Sequence, residues 1–150
     1  MKKKDIGIIF WITGLSGSGK SSIGNKLKPL IEKKYGKTII MHGDDIRNIY
    51  NQKTYKKVER LKLGKSNSDL CNFLSKQGVN VIFTTVGLFK EIFIYNKKKI
   101  FRYVEIFIKS DIQLLINEKK KFFYKVKTKN VWGVDLRPEF PSKPDVLIEN

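Results

Sequence analysis

The stretch Gly14-Leu15-Ser16-Gly17-Ser18-Gly19-Lys20-Ser21 decides how the chain is read. It fits the phosphate-loop pattern of Gly, four residues, then Gly-Lys-Ser/Thr. Just upstream, Ile8-Ile9-Phe10-Trp11-Ile12 is an apolar run rich in β-branched and aromatic side chains, as in a strand buried on both faces. Downstream, 22–34 has helical spacing, with Ile23, Leu27, Leu30 and Ile31 expected on one face. Strand, glycine turn and helix together distinguish a working phosphate loop from a glycine-rich turn that binds nothing.

The residue types follow from the chemistry. Glycine lets the backbone turn with unusual dihedrals and approach an anion closely. Consecutive N–H groups then converge on one concavity at the positive end of the following helix. In that arrangement Lys20 reaches β- and γ-phosphates, and the Ser21 hydroxyl is a ligand of Mg²⁺.

The 150 residues suffice for one domain with a core, and 41% of them are apolar. The single cysteine, Cys71, excludes an internal disulfide and fits a reducing cytoplasm. Its apolar helical surroundings read as core packing. Lys2-Lys3-Lys4 followed by apolar residues mimics a signal peptide, but no small-residue cleavage site follows and the run leads straight into the phosphate loop. No apolar stretch is long enough to span a membrane. The net charge of +17 favours anionic partners. The basic residues are mostly lysine and are spread over the chain; arginine stands only at Arg47, Arg60, Arg102 and Arg137. That distribution reads as solvated helix faces, so neither nucleic acid nor a membrane is the expected partner.

In chain order, Gly36-Lys37 ends the first helix and Thr38-Ile39-Ile40-Met41 reads as a second strand. It delivers His42-Gly43-Asp44-Asp45-Ile46-Arg47 to its C-terminal end, the edge where open α/β sheets bind ligands. An acidic residue there can hold Mg²⁺ through water or take a proton from an attacking hydroxyl. Asp44 and Asp45 also suit helix N-caps. A long helix is expected over 55–76, with Val58, Leu61, Leu70, Phe73 and Leu74 as core contacts and a kink near Gly64-Lys65-Ser66-Asn67-Ser68. Strands at 79–84 and 103–108, helices at 89–99 and 111–116, and a last strand at 145–148 complete the pattern. The run 117–132 interleaves Lys119, Lys120, Lys121, Lys125, Lys127 and Lys129 with Phe122, Phe123 and Tyr124. It reads as a lid over phosphates or as a single-strand nucleic-acid binder. Alternating strands and helices predict an α/β three-layer sandwich of the P-loop NTPase class, with a central parallel sheet of about five strands.

These residues resemble a named family, the adenylylsulfate (APS) kinases, which transfer the γ-phosphate of ATP to the ribose 3′-hydroxyl of adenylyl sulfate. The similarity covers nearly the whole chain. Trp11-Ile12-Thr13-Gly14 and the loop after it are similar to that family's phosphate loop, and His42-Gly43-Asp44-Asp45-Ile46-Arg47 corresponds to its Asp-Gly-Asp-Asn-x-Arg motif. Tyr55 and Arg60 sit as in its Phe-x-x-x-x-Arg segment. Lys129-Asn130 with Gly133-Val134-Asp135 matches the end of its lid, and Pro141 with Pro144-Asp145-Val146-Leu147-Ile148 its closing segment. The resemblance implies ATP and Mg²⁺ as cofactors, cradled by Gly14, Leu15, Ser16, Gly17, Ser18, Gly19, Lys20, Ser21 and Ser22. It implies Lys20 and Asp44 as catalytic, Ser21 and Asp44 at the metal, and Arg47, Tyr55, Arg60, Phe89, Lys129 and Asn130 at a small-molecule nucleotide acceptor. A homodimer is also expected on this ground.

The departures fall on the acceptor side. The motif's first Asp is His42; the helix asparagine is Leu63, and the arginine pair after it is Lys65-Ser66. Gly87-Leu88 replaces Ser-Pro before Phe89, and Asn117-Glu118 replaces Arg-Asp at the start of a shortened lid. Val131, beside Trp132, stands where a lid aromatic stacks on adenine, and the helix that follows the family's last strand is missing. His42 is a polar filler or a pH-sensitive base. Glu59-Arg60-Leu61-Lys62-Leu63 and Thr85-Val86-Gly87-Leu88-Phe89-Lys90-Glu91 also resemble a branch found with surface-polysaccharide (capsule) synthesis, where the acceptor is another nucleotide such as cytidine diphosphoramidate. A catalytically weakened ATP-binding protein is the remaining alternative.

Overall fold

The structure, a computed structural model, describes residues 5–118 and 129–150. The apolar run at the start becomes β1 (Ile9–Gly14), buried along its whole length. After the loop, α1 (Lys20–Tyr35) returns over the sheet to β2 (Thr38–His42), and α2 (Gly43–Ile49) follows without a connection. Then come α3 (Lys57–Lys76), β3 (Asn80–Thr85), α4 (Lys90–Lys99), β4 (Tyr103–Lys109), α5 (Ile112–Asn117) and β5 (Val146–Glu149).

The strands form one sheet in the order β2-β3-β1-β4-β5, every neighbouring pair parallel. This is the expected five-stranded α/β sandwich. Because successive strand residues point to opposite faces, the apolar run of β1 serves two cores. Ile9 and Trp11 join Phe83, Cys71, Ile92 and Trp132 beneath α3 and α4, while Ile8, Phe10 and Ile12 join Ile82, Ile106 and Ile31 beneath α1. The sheet's other end is closed by Asn80, whose Oδ1 accepts from the Ile8 N–H at 2.9 Å and whose Nδ2 donates to the Tyr35 carbonyl at 3.1 Å.

Several expected core contacts are corrected. Leu30 on α1, and Val58 and Phe73 on α3, are exposed. The buried face of α3 is instead Asn67, Ser68, Cys71 and Ser75. Small side chains let this helix lie close to the sheet, and two of its hydroxyls are satisfied within the helix: Ser68 Oγ donates to the Gly64 carbonyl and Ser75 Oγ to that of Asn72. The helix runs unbroken through the stretch expected to kink. Gly64 is needed there for contact, since a Cβ would come within 2.8 Å of Ile92 Cδ1 on α4. The aspartates expected as N-caps lie one step further in: His42 occupies the cap position of α2, and Asp44 and Asp45 stand in its first turn. Cys71 is fully buried, as its surroundings implied, and burial pushes its thiol pKa far up.

The lysine- and aromatic-rich run expected as a lid falls largely on 119–128, outside the described residues. Among the described residues no helix is long and apolar enough to cross a membrane.

Candidate active site

The phosphate loop joins the C-terminal end of β1 to the N-terminus of α1. Gly17 (φ +84°) and Gly19 (φ +90°) adopt left-handed backbone that side chains rarely tolerate. A Cβ on Gly14 would meet the Ile108 carbonyl at 2.6 Å, so the loop is packed hard against β4. The turn is held by Ser18 N–H donating to the Leu15 carbonyl at 3.2 Å and by Lys20 Nζ donating to the same oxygen at 2.7 Å. Just after β5, Asn150 Nδ2 donates to the Ser18 carbonyl at 2.9 Å. That brace has no sequence signature.

One cleft of about 720 Å³ runs from this loop across the C-terminal sheet edge. Ser16, Gly17, Gly19, Lys20, Ser21 and Ser22 line its loop end. Gly14, Leu15 and Ser18 do not reach the lining; they are buried beneath it, Leu15 as part of the core under α3 and α4. Asp44 and Arg47 of α2 line the same cleft, because β2 ends where β1 ends and α2 starts at once. His42 is tied to β3, with Nδ1 at 2.8 Å from Thr84 Oγ1. Thr13 Oγ1 donates to the Val86 carbonyl at 2.7 Å and so fixes the segment leading to Phe89.

The donor set suits a hard cation. Ser21 supplies a hydroxyl and Asp44 a carboxylate on the same lining. Mg²⁺ is ordinarily held by one or two carboxylates together with substrate phosphates and water. Among the described residues no cluster of His, Cys, Asp and Glu would make an all-protein metal cage.

The other end of the cleft is cationic and aromatic. The guanidinium of Arg47 lies 4.6 Å from the centroid of the Tyr55 ring, and that of Arg60 lies 5.0 Å from it. Arg60 also lies 5.6 Å from the Trp132 ring, and its Nη2 donates to the Asn130 carbonyl at 2.7 Å. Burial and the neighbouring Arg47 charge lower the Arg60 pKa to about 10, against the opposing pull of Tyr55 and Asp135. Trp132 packs edge-on to Phe89 with centroids 4.6 Å apart.

The end of the expected lid is a compact turn. The Asp135 carboxylate accepts from the backbone N–H groups of Asn130 and Val131. Desolvation would push that carboxyl up, but these amides and the Arg60 charge outweigh it and hold its pKa below the ordinary value. Asn130 takes a positive φ of 62°, a conformation asparagine tolerates better than most residues. Thus Lys129 and Asn130 line the cleft at the Arg60 end, as do Val131 and Trp132. Reading the residues alone placed Trp11 in the core; it is buried there, and it also lines the cleft floor. Asn67 and Thr84 were not anticipated at the cleft, since a polar residue within a helix or strand carries no such signal.

Known proteins resemble this chain along nearly its whole length. The profile of the adenylylsulphate kinase family matches residues 6–149. A cytidine diphosphoramidate kinase of Campylobacter jejuni is 38% identical over 146 residues, covering 95% of this chain and 85% of its own. An adenylyl-sulfate kinase of Clostridium kluyveri is 27% identical over 152 residues, covering 95% of this chain and 74% of its own. The fold is that of the Mycobacterium tuberculosis APS kinase solved in complex with AMPPNP and APS, with a TM-score of 0.87 over 96% of this chain and 88% of that one, at 23% identity. The chain belongs to the adenylylsulphate kinase family and is an ATP-dependent kinase.

Proposed function

We propose that the protein moves the γ-phosphate of ATP to the ribose 3′-hydroxyl of a nucleotide bearing a small anionic group. The observation that carries this reading is the single cleft that brings Lys20, Ser21 and Asp44 together with Arg47, Tyr55 and Arg60. At the loop end, the backbone N–H groups around Gly17 and Gly19 receive the phosphates, with Lys20 on the β- and γ-groups. Ser21 and Asp44 are the residues that would hold Mg²⁺, which when bound neutralises charge on the transferring phosphoryl group. Arg47 and Arg60 bind the acceptor's anionic group. The 3′-oxygen forms its bond to the γ-phosphorus as the bond to the β,γ-bridging oxygen breaks, and ADP leaves. Asp44 accepts the hydroxyl proton.

For the acceptor we put cytidine diphosphoramidate first, because the relative so named is 38% identical, against 27% and 31% for adenylyl-sulfate kinases of two Clostridium species. Adenylyl sulfate is the second reading. Assaying ADP release and 3′-phosphorylated product with each acceptor tests the proposal. Lys20→Ala should lower kcat by at least about 100-fold, as expected for loss of a charge-stabilising donor. Folded wild-type protein that binds ATP yet turns over neither acceptor would contradict it, and would favour a non-catalytic ATP-binding role.

A further inference from the structure

Two buried polar atoms of cleft-lining residues are left unused by the reading above. Asn67 of α3 is 5% exposed, and its side-chain Oδ1 has no hydrogen-bond partner. Trp11 of β1 is 1% exposed, and its indole Nε1 also has none. Both residues line the cleft. Leaving a buried donor or acceptor unpaired is costly, so such groups ask for an explanation. The neighbouring positions do not share the cost: Ser68 and Ser75, on the same face of α3, bond to carbonyls of their own helix. Cys71, one turn after Asn67, fills its place with an apolar thiol. Trp11 spends its ring on Phe83, with centroids 4.6 Å apart, and leaves its N–H unspent.

We propose that Asn67 and Trp11 read the edge of the acceptor's base and select one with an exocyclic amino group beside a ring nitrogen. The inference rests on the nucleotide-kinase reading. A side-chain carbonyl only accepts and an indole N–H only donates. Adenine and cytosine each offer the complementary pair, an amino donor next to an acceptor nitrogen. Hypoxanthine and uracil present a carbonyl and an N–H in those places, so both contacts become repulsive. Sites built to pair buried polar groups reject mismatched analogues far more strongly than apolar walls do. The same lining carries the apolar Leu63 and Ile92 and the cationic Arg47 and Arg60, as a nucleotide needs. Both atoms are buried, so reading the base requires the two side chains to turn toward the cleft.

The test is steady-state kinetics at saturating ATP with two acceptor pairs: adenylyl sulfate against its inosine counterpart, and cytidine diphosphoramidate against its uridine counterpart. In the pair that turns over, the amino member should exceed its keto partner in kcat/KM by about 30-fold or more, as for a site with paired polar groups. Asn67→Leu, of similar size, should raise KM for the amino acceptor by about 10- to 100-fold, the loss of a buried hydrogen bond, and shrink the preference to about threefold or less. KM for ATP should not move. Equal kcat/KM for both members of a pair in the wild type overturns this inference alone, as does full preference retained in Asn67→Leu. Should that variant fail to fold, the wild-type comparison decides by itself. Wild-type protein inactive on all four acceptors overturns the proposed nucleotide-acceptor function and this inference with it.

Discussion

The Arg60 guanidinium donates to the Asn130 carbonyl at 2.7 Å, tying α3 to the segment that follows 119–128. The same side chain packs against Tyr55 and Trp132. One residue therefore organises an entire side of the cleft, and its effect on catalysis should be confined to that side.

Arg60→Ala should raise KM for the acceptor by about 10- to 100-fold, the worth of one or two charge-assisted hydrogen bonds, with KM for ATP unchanged. Arg60→Lys should not restore it, because an ammonium lacks the planar fork that both stacks and donates. Initial rates with each substrate varied in turn check this. A matching rise in KM for ATP would mean that the two ends of the cleft are not separable.

The loop geometry makes a stability prediction. Gly19 holds φ at +90° at the head of α1. Gly19→Ala should destabilise the fold by about 1–2 kcal/mol, the cost of a left-handed conformation for a residue with a Cβ. For a chain of this size that lowers Tm by about 2–8 °C. Calorimetric titration should also show weakened binding of a non-hydrolysable ATP analogue. Unchanged Tm and unchanged binding would show that the loop does not need this backbone state.

A buried acid at the far end of β4 predicts a pH effect. Glu105 is wholly buried, with Lys97 Nζ at 3.3 Å from Oε2 and Tyr103 and Asp145 close by. Burial raises its pKa; Lys97 opposes this and Asp145 adds to it. A carboxyl whose pKa is higher folded than unfolded stabilises the fold below the unfolded pKa, near 4.5, and loses that contribution as pH rises through the folded value. The Tm of Glu105→Gln minus that of the wild type should therefore increase with pH over this window, since the amide has no proton to lose. Melting curves from pH 4 upward measure it; a difference that shrinks with rising pH would reverse the sign and refute the account.

Much of the fold was legible because β1 and β3 are apolar on both faces and glycines mark the phosphate loop. The sheet order needed the structure. The inward face of α3 was misread because it is made of Asn67, Ser68, Cys71 and Ser75, small or polar residues that look solvated in a helix, while the apolar Val58 and Phe73 face outward. At the site, the phosphate loop could be named from its spacing and an acidic residue from its place at the end of the second strand, whereas Arg47, Tyr55, Arg60, Phe89, Lys129 and Asn130 could be named only from the family resemblance. Asn67, and the brace from Asn150 to the loop, could not, because their meaning lies in contacts between segments far apart in the chain.

The most direct test of the central claim is transfer of label from [γ-³²P]ATP in the presence of cytidine diphosphoramidate or adenylyl sulfate. The account predicts label on the 3′-oxygen of one of these acceptors, in step with ADP formed, and none with Lys20→Ala. Label found only in inorganic phosphate, or no transfer to either acceptor by folded wild-type protein, would contradict it.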